Sequence, residues 1–207
     1  MIELFGDATG NCFRVAIALE ESGLPYRLHK VDLAGGGQRD PTYLSLNPFG
    51  RVPTIVEHQG AGREPFVLSQ SNAILIYVSE KSGRLLPQEE AARARALEWL
   101  LLFVTDVIAP NNLGFQLART LGPALASEAI QVLKQRPLSV YEPFNKQLGS
   151  HAFVAGETLT IADIAAYTIT AALSDQLQWE ALPHVRRWFA MLQERRGFQR
   201  GMLAFRQ

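Results

Sequence analysis

The chain carries, directly before a predicted β-strand at residues 54–57, the segment Asn47-Pro48-Phe49-Gly50-Arg51-Val52-Pro53. A proline that opens a strand cannot donate to its hydrogen-bond ladder, and a tight turn here could use a cis Val52–Pro53 bond. The N–H and C=O of Val52 would then be free to pair with an extended peptide ligand, as in strand addition. Most X–Pro bonds are trans and structural, so this segment alone decides nothing.

Short strands and helices alternate around this segment. Strands are predicted at residues 2–5, 26–32, 54–57 and 66–68, helices at residues 11–22 and 71–81, and a short helix or turn at residues 41–46. Gly23, followed by Pro25, is a stop signal for the first helix. The order β-α-β-α-β-β-α predicts an α/β domain over residues 1–84.

The second part of the chain has helical patterns only, which predicts an all-α domain over residues 88–207. A long helix is expected at about residues 89–108, apolar on most sides, and another helical stretch at about residues 124–148. Pro110 is expected to end or kink the first of these helices, and Pro137 and Pro143 are expected to break the second.

Two further helices have clear boundary signals. Thr160 is a good N-cap, and Asp163 occupies the N3 position of a capping box. Pro183 suits the first position of the last helix, which we expect to end at Gly197.

Composition excludes several classes of protein. The 207 residues have a formal net charge of zero, whereas nucleic-acid binders normally show a basic surplus. The single cysteine, Cys12, allows no internal disulfide and fits a reducing compartment. The longest apolar run, residues 99–104, is far short of the roughly 20 residues that span a bilayer. With no signal peptide and no metal-ligand spacing among the histidines, we expect a cytoplasmic protein without metal, nucleic acid or membrane partners.

Thr9-Gly10-Asn11-Cys12 lies where the first strand meets the first helix. Unpaired N–H groups and the helix dipole stabilise an anion at such a point. In thioredoxin-like proteins this junction holds a Cys-x-x-Cys pair, and here Thr9 stands at its first position and Cys12 at its fourth. A hydroxyl at the first position could donate a hydrogen bond to the thiolate of a bound thiol and lower its pKa. Helix capping alone explains Thr9 and Asn11 equally well.

Two other segments offer polar groups to a ligand. Ser71, which follows Gln70, is an N-cap candidate whose hydroxyl could instead hold a ligand carboxylate, together with nearby N–H groups. Gln38 follows a glycine-rich loop after the second strand, and could reach a ligand or simply be a surface residue.

Together and in this order, these segments resemble the glutathione transferase superfamily over essentially the whole chain. The most specific pieces are residues 47–53, 68–74 and 159–163. The resemblance implies the cytosolic glutathione transferase fold: a thioredoxin-like N-terminal domain followed by an all-α C-terminal domain. It implies that the Val52–Pro53 turn, with Arg51 before it, binds the cysteinyl backbone of glutathione, and that Gln70 and Ser71 hold its γ-glutamyl end.

Within the superfamily the chain looks most like the bacterial nu class, described as glutathione-dependent disulfide-bond oxidoreductases. That resemblance places Thr9 and Asn11 at the reacting sulfur, as the catalytic residues, and Gln38 at the glycyl end of glutathione. One position departs from the family pattern, because a Glu usually precedes the serine and this chain has neutral Gln70. A neutral contact to the γ-glutamyl ammonium is typically weaker than a charged one.

Three functions stay open at this point. The first is reduction of a small disulfide with glutathione, which the nu-like residues favour. The second is conjugation of glutathione to an electrophile, with the same thiolate stabilised by Thr9 and Asn11. The third is a non-catalytic binding protein, because a fold does not settle a function. The family resemblance implies a homodimer, and glutathione or glutathione disulfide as its ligand.

Overall fold

The computed structural model describes residues 1–60, 62–121 and 128–206. These residues form two compact units, one comprising Met1–Leu86 with Gln193–Gln207 and the other Pro87–Leu192. The predicted fold class, an α/β thioredoxin-like unit and a helical unit, is confirmed. The domain boundaries at 84 and 88 remain a prediction, but the segment from Gln193 onward packs with the first unit rather than the second.

A four-stranded mixed sheet forms the centre of the first unit. Its strands are β1 (Ile2–Gly6), β2 (Tyr26–Lys30), β3 (Thr54–Glu57) and β4 (Phe66–Ser69). Their order is β2-β1-β3-β4, with β1 parallel to β2 and antiparallel to β3, and β3 antiparallel to β4. The predicted strand at 26–32 is two residues too long, because the chain leaves β2 after Lys30.

Helices of the first unit cover the sheet. They are α1 (Gly10–Ser22), α2 (Pro41–Leu46), α3 (Ser71–Ser82) and α10 (Arg196–Leu203), with a short 3-10 turn at Gly37–Arg39. Helix α1 ends as predicted, since Gly23 adopts a left-handed conformation with φ 68°. From Cys12 to Leu19 every side chain of α1 is buried, so this helix contributes a large part of the core of the unit.

The second unit is helical. Its helices are α4 (Glu90–Leu102), α5 (Ala109–Leu121), α6 (Glu128–Gln135), α7 (Tyr141–Ser150), α8 (Ile161–Ala172) and α9 (Pro183–Gln193), with 3-10 turns at Arg136–Val140 and Ser174–Gln176. Aromatic rings pack around Phe144, which lies 5.0 Å from Phe103 and 5.1 Å from Trp188 between ring centroids. Pro183 begins α9 as predicted.

Pro110 does not end the long helix, so the first of its two predicted effects, ending the helix, is wrong. A π-helical segment, Phe103–Ile108, joins α4 to α5, and the helix continues through Pro110. A π-turn widens the helix and shifts its hydrogen bonds. We attribute the tolerance of Pro110 to that widening, because a proline lacks an N–H and crowds the preceding turn.

The other two prolines differ in their effect. Pro137 lies in the 3-10 turn Arg136–Val140 and separates α6 from α7, as predicted. Pro143 does not break a helix, since it lies in the first turn of α7 where its missing N–H has no intrahelical partner to lose. Part of the predicted helix at 124–148, up to residue 127, lies outside the described residues.

The capping box at the start of α8 is confirmed. Asp163 accepts hydrogen bonds from the Thr160 N–H at 2.9 Å and from the Thr160 hydroxyl at 3.0 Å. The Val154 N–H donates to the same carboxylate at 2.9 Å and the Trp188 indole N–H at 3.0 Å. Asp163 is fully buried, so this carboxylate ties three segments of the second unit together.

Gly197 does not end α9, which stops at Gln193, and the prediction there is wrong. Gly197 lies inside the next helix, α10, where a side chain would collide with Glu21 of α1. One turn further along, a Cβ at Gly201 would meet the backbone of Ile17. Both glycines therefore allow α10 to lie close against α1, a tertiary requirement that looks like a stop signal in the sequence.

The stretch Glu90–Ala118 is long and apolar enough to cross a membrane by length and composition alone. This was not predicted from the sequence, because only uninterrupted apolar runs were considered. A core helix of a soluble protein meets the same criterion. Only 28% of its most apolar window is buried, and Leu101 and Phe115 are 57% and 68% exposed.

Candidate functional site

The predicted site segments lie together at one edge of the sheet. The strand register aligns Phe5 with Thr54 and Thr54 with Ser69, which form one row across β1, β3 and β4. β3 begins at this row and β4 ends there, and β1 ends one residue beyond it, at Gly6. The segments that follow β1, precede β3 and follow β4 therefore emerge at the same edge, and they contain Thr9, Val52 and Ser71 respectively.

Thr9 caps helix α1, as one of the two sequence interpretations requires. Its Oγ1 accepts a hydrogen bond from the Cys12 N–H at 3.3 Å, with an extended backbone (φ −126°, ψ 152°). Because the hydroxyl oxygen is the acceptor in this bond, the hydroxyl proton stays available to donate elsewhere. Asn11 is half-buried, and within the described residues its side-chain amide makes no hydrogen bond. The start of α1 thus presents two polar side chains whose donors are uncommitted.

Cys12 faces inward, as expected from its place in the register. Its side chain is 0% exposed, and the Asp7 N–H donates to its sulfur at 3.5 Å. Burial raises the pKa of the Cys12 thiol above its usual value. A buried thiol with a raised pKa is a poor nucleophile, so Cys12 is a core residue.

The Val52–Pro53 peptide bond is cis. Pro53 is buried and Val52 half-buried. Among the described residues, neither the N–H nor the C=O of Val52 takes part in a hydrogen bond. The arrangement therefore leaves the backbone donor and acceptor of Val52 unpaired within the described residues.

A chain of hydroxyl groups fixes this turn to the sheet. The Tyr43 hydroxyl donates to the Arg51 carbonyl oxygen at 2.6 Å and lies 3.0 Å from the Thr54 hydroxyl. Thr54 lies 2.9 Å from the Ser69 hydroxyl in β4. Asn47 adds a second bond to the Arg51 carbonyl at 2.6 Å. The turn before β3 and the end of β4 are thereby held in one network, whereas the exposed Arg51 guanidinium forms no ion pair within the described chain.

Ser71 is not the N-cap of α3, contrary to one sequence interpretation. Gln70 occupies the cap position, with φ 75° and ψ 109° and no side-chain capping bond, and Ser71 is the first helical residue. The Ser71 hydroxyl instead accepts a hydrogen bond from Arg14 at 3.2 Å. Positive φ is strained for a residue with a side chain, and such strain clusters at functional sites. The first N–H groups of α3 are left without a side-chain cap.

Gln38 lies in the 3-10 turn Gly37–Arg39 beside the turn that precedes Arg51. A Cβ at Gly50 would stand 2.9 Å from the Gln38 carbonyl oxygen, and Gly50 has φ 58°. The Gln38 side-chain Oε1 is buried without a hydrogen-bond partner among the described residues. Gln38 is thus placed near the 47–53 segment, with an amide oxygen that a ligand donor would satisfy.

Sequence reasoning missed Arg14 and the pair Tyr43 and Thr54. The sequence offered one signal that Arg14 has a special role, because it is the only charged residue in the apolar run from Cys12 to Leu19. Tyr43 and Thr54 gave none, since their hydroxyl contact joins α2 to β3 and depends on the tertiary fold.

Chemically, the assembled edge suits a small peptide that carries a thiol and charged ends. An extended peptide can pair with Val52, a carboxylate is stabilised at an uncapped helix start, and a thiolate can accept hydrogen bonds at the start of α1. The side chains that would do this come from α1, the turn before β3 and the start of α3.

Two family models match the chain. Residues 10–81 match the glutathione S-transferase N-terminal domain, and residues 117–195 match the glutathione S-transferase C-terminal domain. The chain is 36% identical over 199 residues to the disulfide-bond oxidoreductase YfcG of Escherichia coli, covering 94% of this chain and 91% of YfcG.

Solved structures with bound glutathione are also similar. A glutathione transferase family member from Pseudomonas fluorescens, with two glutathione molecules bound, has a TM-score of 0.86 and 30% identity, over 97% of this chain and 92% of that one. A glutathione transferase from Pseudomonas putida, with one glutathione disulfide bound per subunit, has a TM-score of 0.86 and 27% identity, over 98% and 91%. The fold, the matched domains and this level of identity agree: the chain belongs to the glutathione transferase family.

Proposed function

We propose that this enzyme reduces small disulfides with glutathione, whose thiolate is stabilised by Thr9 and Asn11. The observation that carries the proposal is the geometry of Thr9. Its hydroxyl accepts from the Cys12 N–H at 3.3 Å and keeps its own proton for a thiolate, while the sole protein thiol is buried. The reacting sulfur then has to come from a bound thiol.

Glutathione fits the polar groups at this edge. Its cysteinyl backbone would pair with the N–H and C=O of Val52 beside the cis Pro53. Its γ-glutamyl carboxylate would meet Ser71 and the start of α3, with Gln70 at the ammonium. Gln38, which is half-buried, would contact the glycyl end, and Arg51, which is exposed, would contact the adjoining backbone.

The reaction needs two glutathione molecules per disulfide. The first thiolate attacks one sulfur of the substrate disulfide, which forms a mixed disulfide and releases one substrate thiolate. The second glutathione thiolate attacks the glutathione sulfur of the mixed disulfide, which forms glutathione disulfide and releases the other substrate thiol. The substrate gains two electrons and two protons, and the two glutathione molecules lose them.

Structures of similar proteins support a site that is large enough for two glutathione molecules. One Pseudomonas structure holds two glutathione molecules and the other holds one glutathione disulfide per subunit. YfcG is named a disulfide-bond oxidoreductase. We therefore expect calorimetric titration of this chain to give two reduced glutathione molecules, or one glutathione disulfide, per subunit.

Turnover of hydroxyethyl disulfide with glutathione tests the proposal, with conjugation of 1-chloro-2,4-dinitrobenzene measured in parallel. Disulfide turnover well above conjugation supports the proposed reaction. Conjugation alone would make the chain an ordinary transferase. Neither activity, together with no thermal shift from glutathione or its disulfide, would leave a non-catalytic binding protein.

The variant Cys12→Ala separates bound thiol from protein thiol. Because Cys12 is buried and its pKa is raised, we expect the variant to keep disulfide turnover within about threefold. A loss of turnover in a folded Cys12→Ala protein would show that the protein sulfur takes part, and the proposed role of Thr9 would then be abandoned.

We also propose a cytoplasmic homodimer. Leu101, Leu113 and Phe115, on the long helical stretch of the second unit, are exposed to solvent in the single chain, and apolar patches on soluble proteins commonly mark interfaces. Sedimentation equilibrium would show twice the 22.9 kDa chain mass. A monomer at micromolar concentration would contradict this part of the proposal.

A further inference from the structure

Arg14 is a buried cation directly behind the proposed carboxylate site. It lies in the second turn of α1, is 2% exposed, and is among the largest fully buried side chains of the chain. Arginine is rarely buried to this degree, because removing its charge from water is costly. A buried arginine therefore needs a reason, and its contact with Ser71 supplies one.

The hydrogen bond between Arg14 and Ser71 has a fixed direction. The guanidinium has donors and no acceptor, so Arg14 Nη1 donates and Ser71 Oγ accepts, at 3.2 Å. The hydroxyl proton of Ser71 is consequently turned away from Arg14. This bond is the only hydrogen bond of the Ser71 side chain within the described residues, so its proton remains free for a ligand acceptor.

The charge of Arg14 is retained at neutral pH. Burial lowers the pKa of its guanidinium to about 10, which still leaves the group protonated in the cell. Its positive charge lies beside the uncapped start of α3, where the helix dipole is positive as well. Both fields favour a ligand carboxylate over a neutral or cationic group at Ser71.

We propose that Arg14 is a positioning residue that, through Ser71, selects ligands bearing a carboxylate at the γ-glutamyl end. It presents the Ser71 hydroxyl as a donor and adds a buried positive charge behind it. This inference rests on the proposed function, since it assigns a residue to the glutathione site of that proposal. Arg14 has other interactions besides this bond, and the proposal requires only the one to Ser71.

Two ligands test the inference: glutathione and 4-aminobutanoyl-cysteinylglycine, which lacks only the α-carboxylate of the γ-glutamyl residue. Calorimetry gives the affinity of the wild type and of Arg14→Met for each. Loss of a charge-assisted contact should weaken glutathione binding about 10- to 100-fold in the variant, and analogue binding by less than about threefold. The KM for glutathione should rise by the same factor, with kcat within about threefold.

Arg27→Met is the matched control, because Arg27 is an exposed arginine of the same unit. It should bind both ligands like the wild type. Arg14→Lys restores a charge without the planar fork and should recover part of the preference for glutathione. Arg14→Gln, which keeps an N–H donor without charge, replaces Arg14→Met if near-ultraviolet circular dichroism shows that the latter does not fold.

The outcomes separate the two proposals. If the wild type binds neither ligand, the proposed function itself fails. If the wild type prefers glutathione and every folded Arg14 variant keeps that preference, only the role of Arg14 fails. Equal weakening of both ligands would likewise assign Arg14 to structure alone. A preference that falls in Arg14→Met or Arg14→Gln and partly returns in Arg14→Lys supports the inference.

Discussion

Helices α3 and α8 begin in opposite ways. At the start of α8 the buried Asp163 carboxylate accepts four hydrogen bonds, two of them from Thr160. At the start of α3 the cap residue, Gln70, has φ 75° and makes no side-chain capping bond. One helix start is closed by a capping box, and the other is left without a side-chain cap.

The two helix starts differ in what they contribute: that of α8 contributes to stability, and that of α3 has donors that a ligand could use. A closed helix start such as that of α8 contributes to folding, because the four groups that donate to Asp163 have a buried acceptor within the protein. An open one, backed by Arg14 and Ser71, keeps its donors for a ligand. Helix α1 is intermediate, since Thr9 caps it and still keeps a hydroxyl proton. Four changes test this comparison.

The largest effect is expected from replacing Asp163, the residue whose carboxylate closes the start of α8. Asp163→Ala leaves four buried donors without an acceptor and should lower the free energy of unfolding by about 3 to 5 kcal/mol. Urea denaturation followed by tryptophan fluorescence measures it, since Trp188 donates to this carboxylate. The exposed Asp175 of the same unit gives the control, Asp175→Ala, which should change stability little. Similar midpoints for the two variants would remove the closed side of the comparison.

Thr9→Ala tests the intermediate helix start. Losing the hydroxyl should lower kcat/KM for disulfide reduction about 100-fold, through a less stabilised thiolate, and should lower stability by only about 1 kcal/mol through the lost cap. Thr9→Ser keeps the hydroxyl and should keep most of the activity. If Thr9→Ala loses stability but no activity, Thr9 is a cap and nothing more.

Gln70, the cap residue of α3, has the strained backbone conformation at this uncapped helix start. At φ 75° glycine is tolerated and alanine is not, so Gln70→Gly should be more stable than Gln70→Ala by about 1 kcal/mol. This order is the reverse of that inside a regular helix, where alanine is favoured. Thermal unfolding of the two variants decides it, and an alanine variant at least as stable would mean that the cap position is unstrained.

The smallest effect is expected from adding a charge at the same position. Gln70→Glu restores the residue that the family usually has and places a carboxylate near the γ-glutamyl ammonium. Glutathione should bind about threefold more tightly, because a charge-assisted contact replaces a neutral one. Weaker binding in calorimetry would show that the new carboxylate repels the ligand carboxylate at Ser71 instead.

Local signals explain what the sequence predicted well. Gly23, Thr160 and Pro183 act through the backbone of their own helix, so their effect can be inferred from neighbouring residues. The cis bond before Pro53 came from the resemblance to glutathione transferases, and the inward Cys12 from the thioredoxin-like register of Thr9 and Cys12.

Tertiary contacts explain what it did not predict. The role of Gly197 depends on how closely α10 packs on α1, and the passage of α5 through Pro110 depends on a π-helical segment in the preceding turn. Capping of α3 was one of two interpretations of Ser71, but the Ser71 hydroxyl bonds instead to Arg14, which lies 57 positions away in the chain. A buried arginine has no sequence signature beyond its apolar neighbours.

The packing of α10 on α1 has a consequence for biosynthesis. The first unit is discontinuous, because the segment from Gln193 that completes it is translated after all of Pro87–Leu192. On the ribosome, the nascent first unit therefore exposes the face of Ile17 and Glu21 until the second unit has been made. Chaperone contacts during translation should concentrate on that face, and a chain truncated before Gln193 should remain dependent on them.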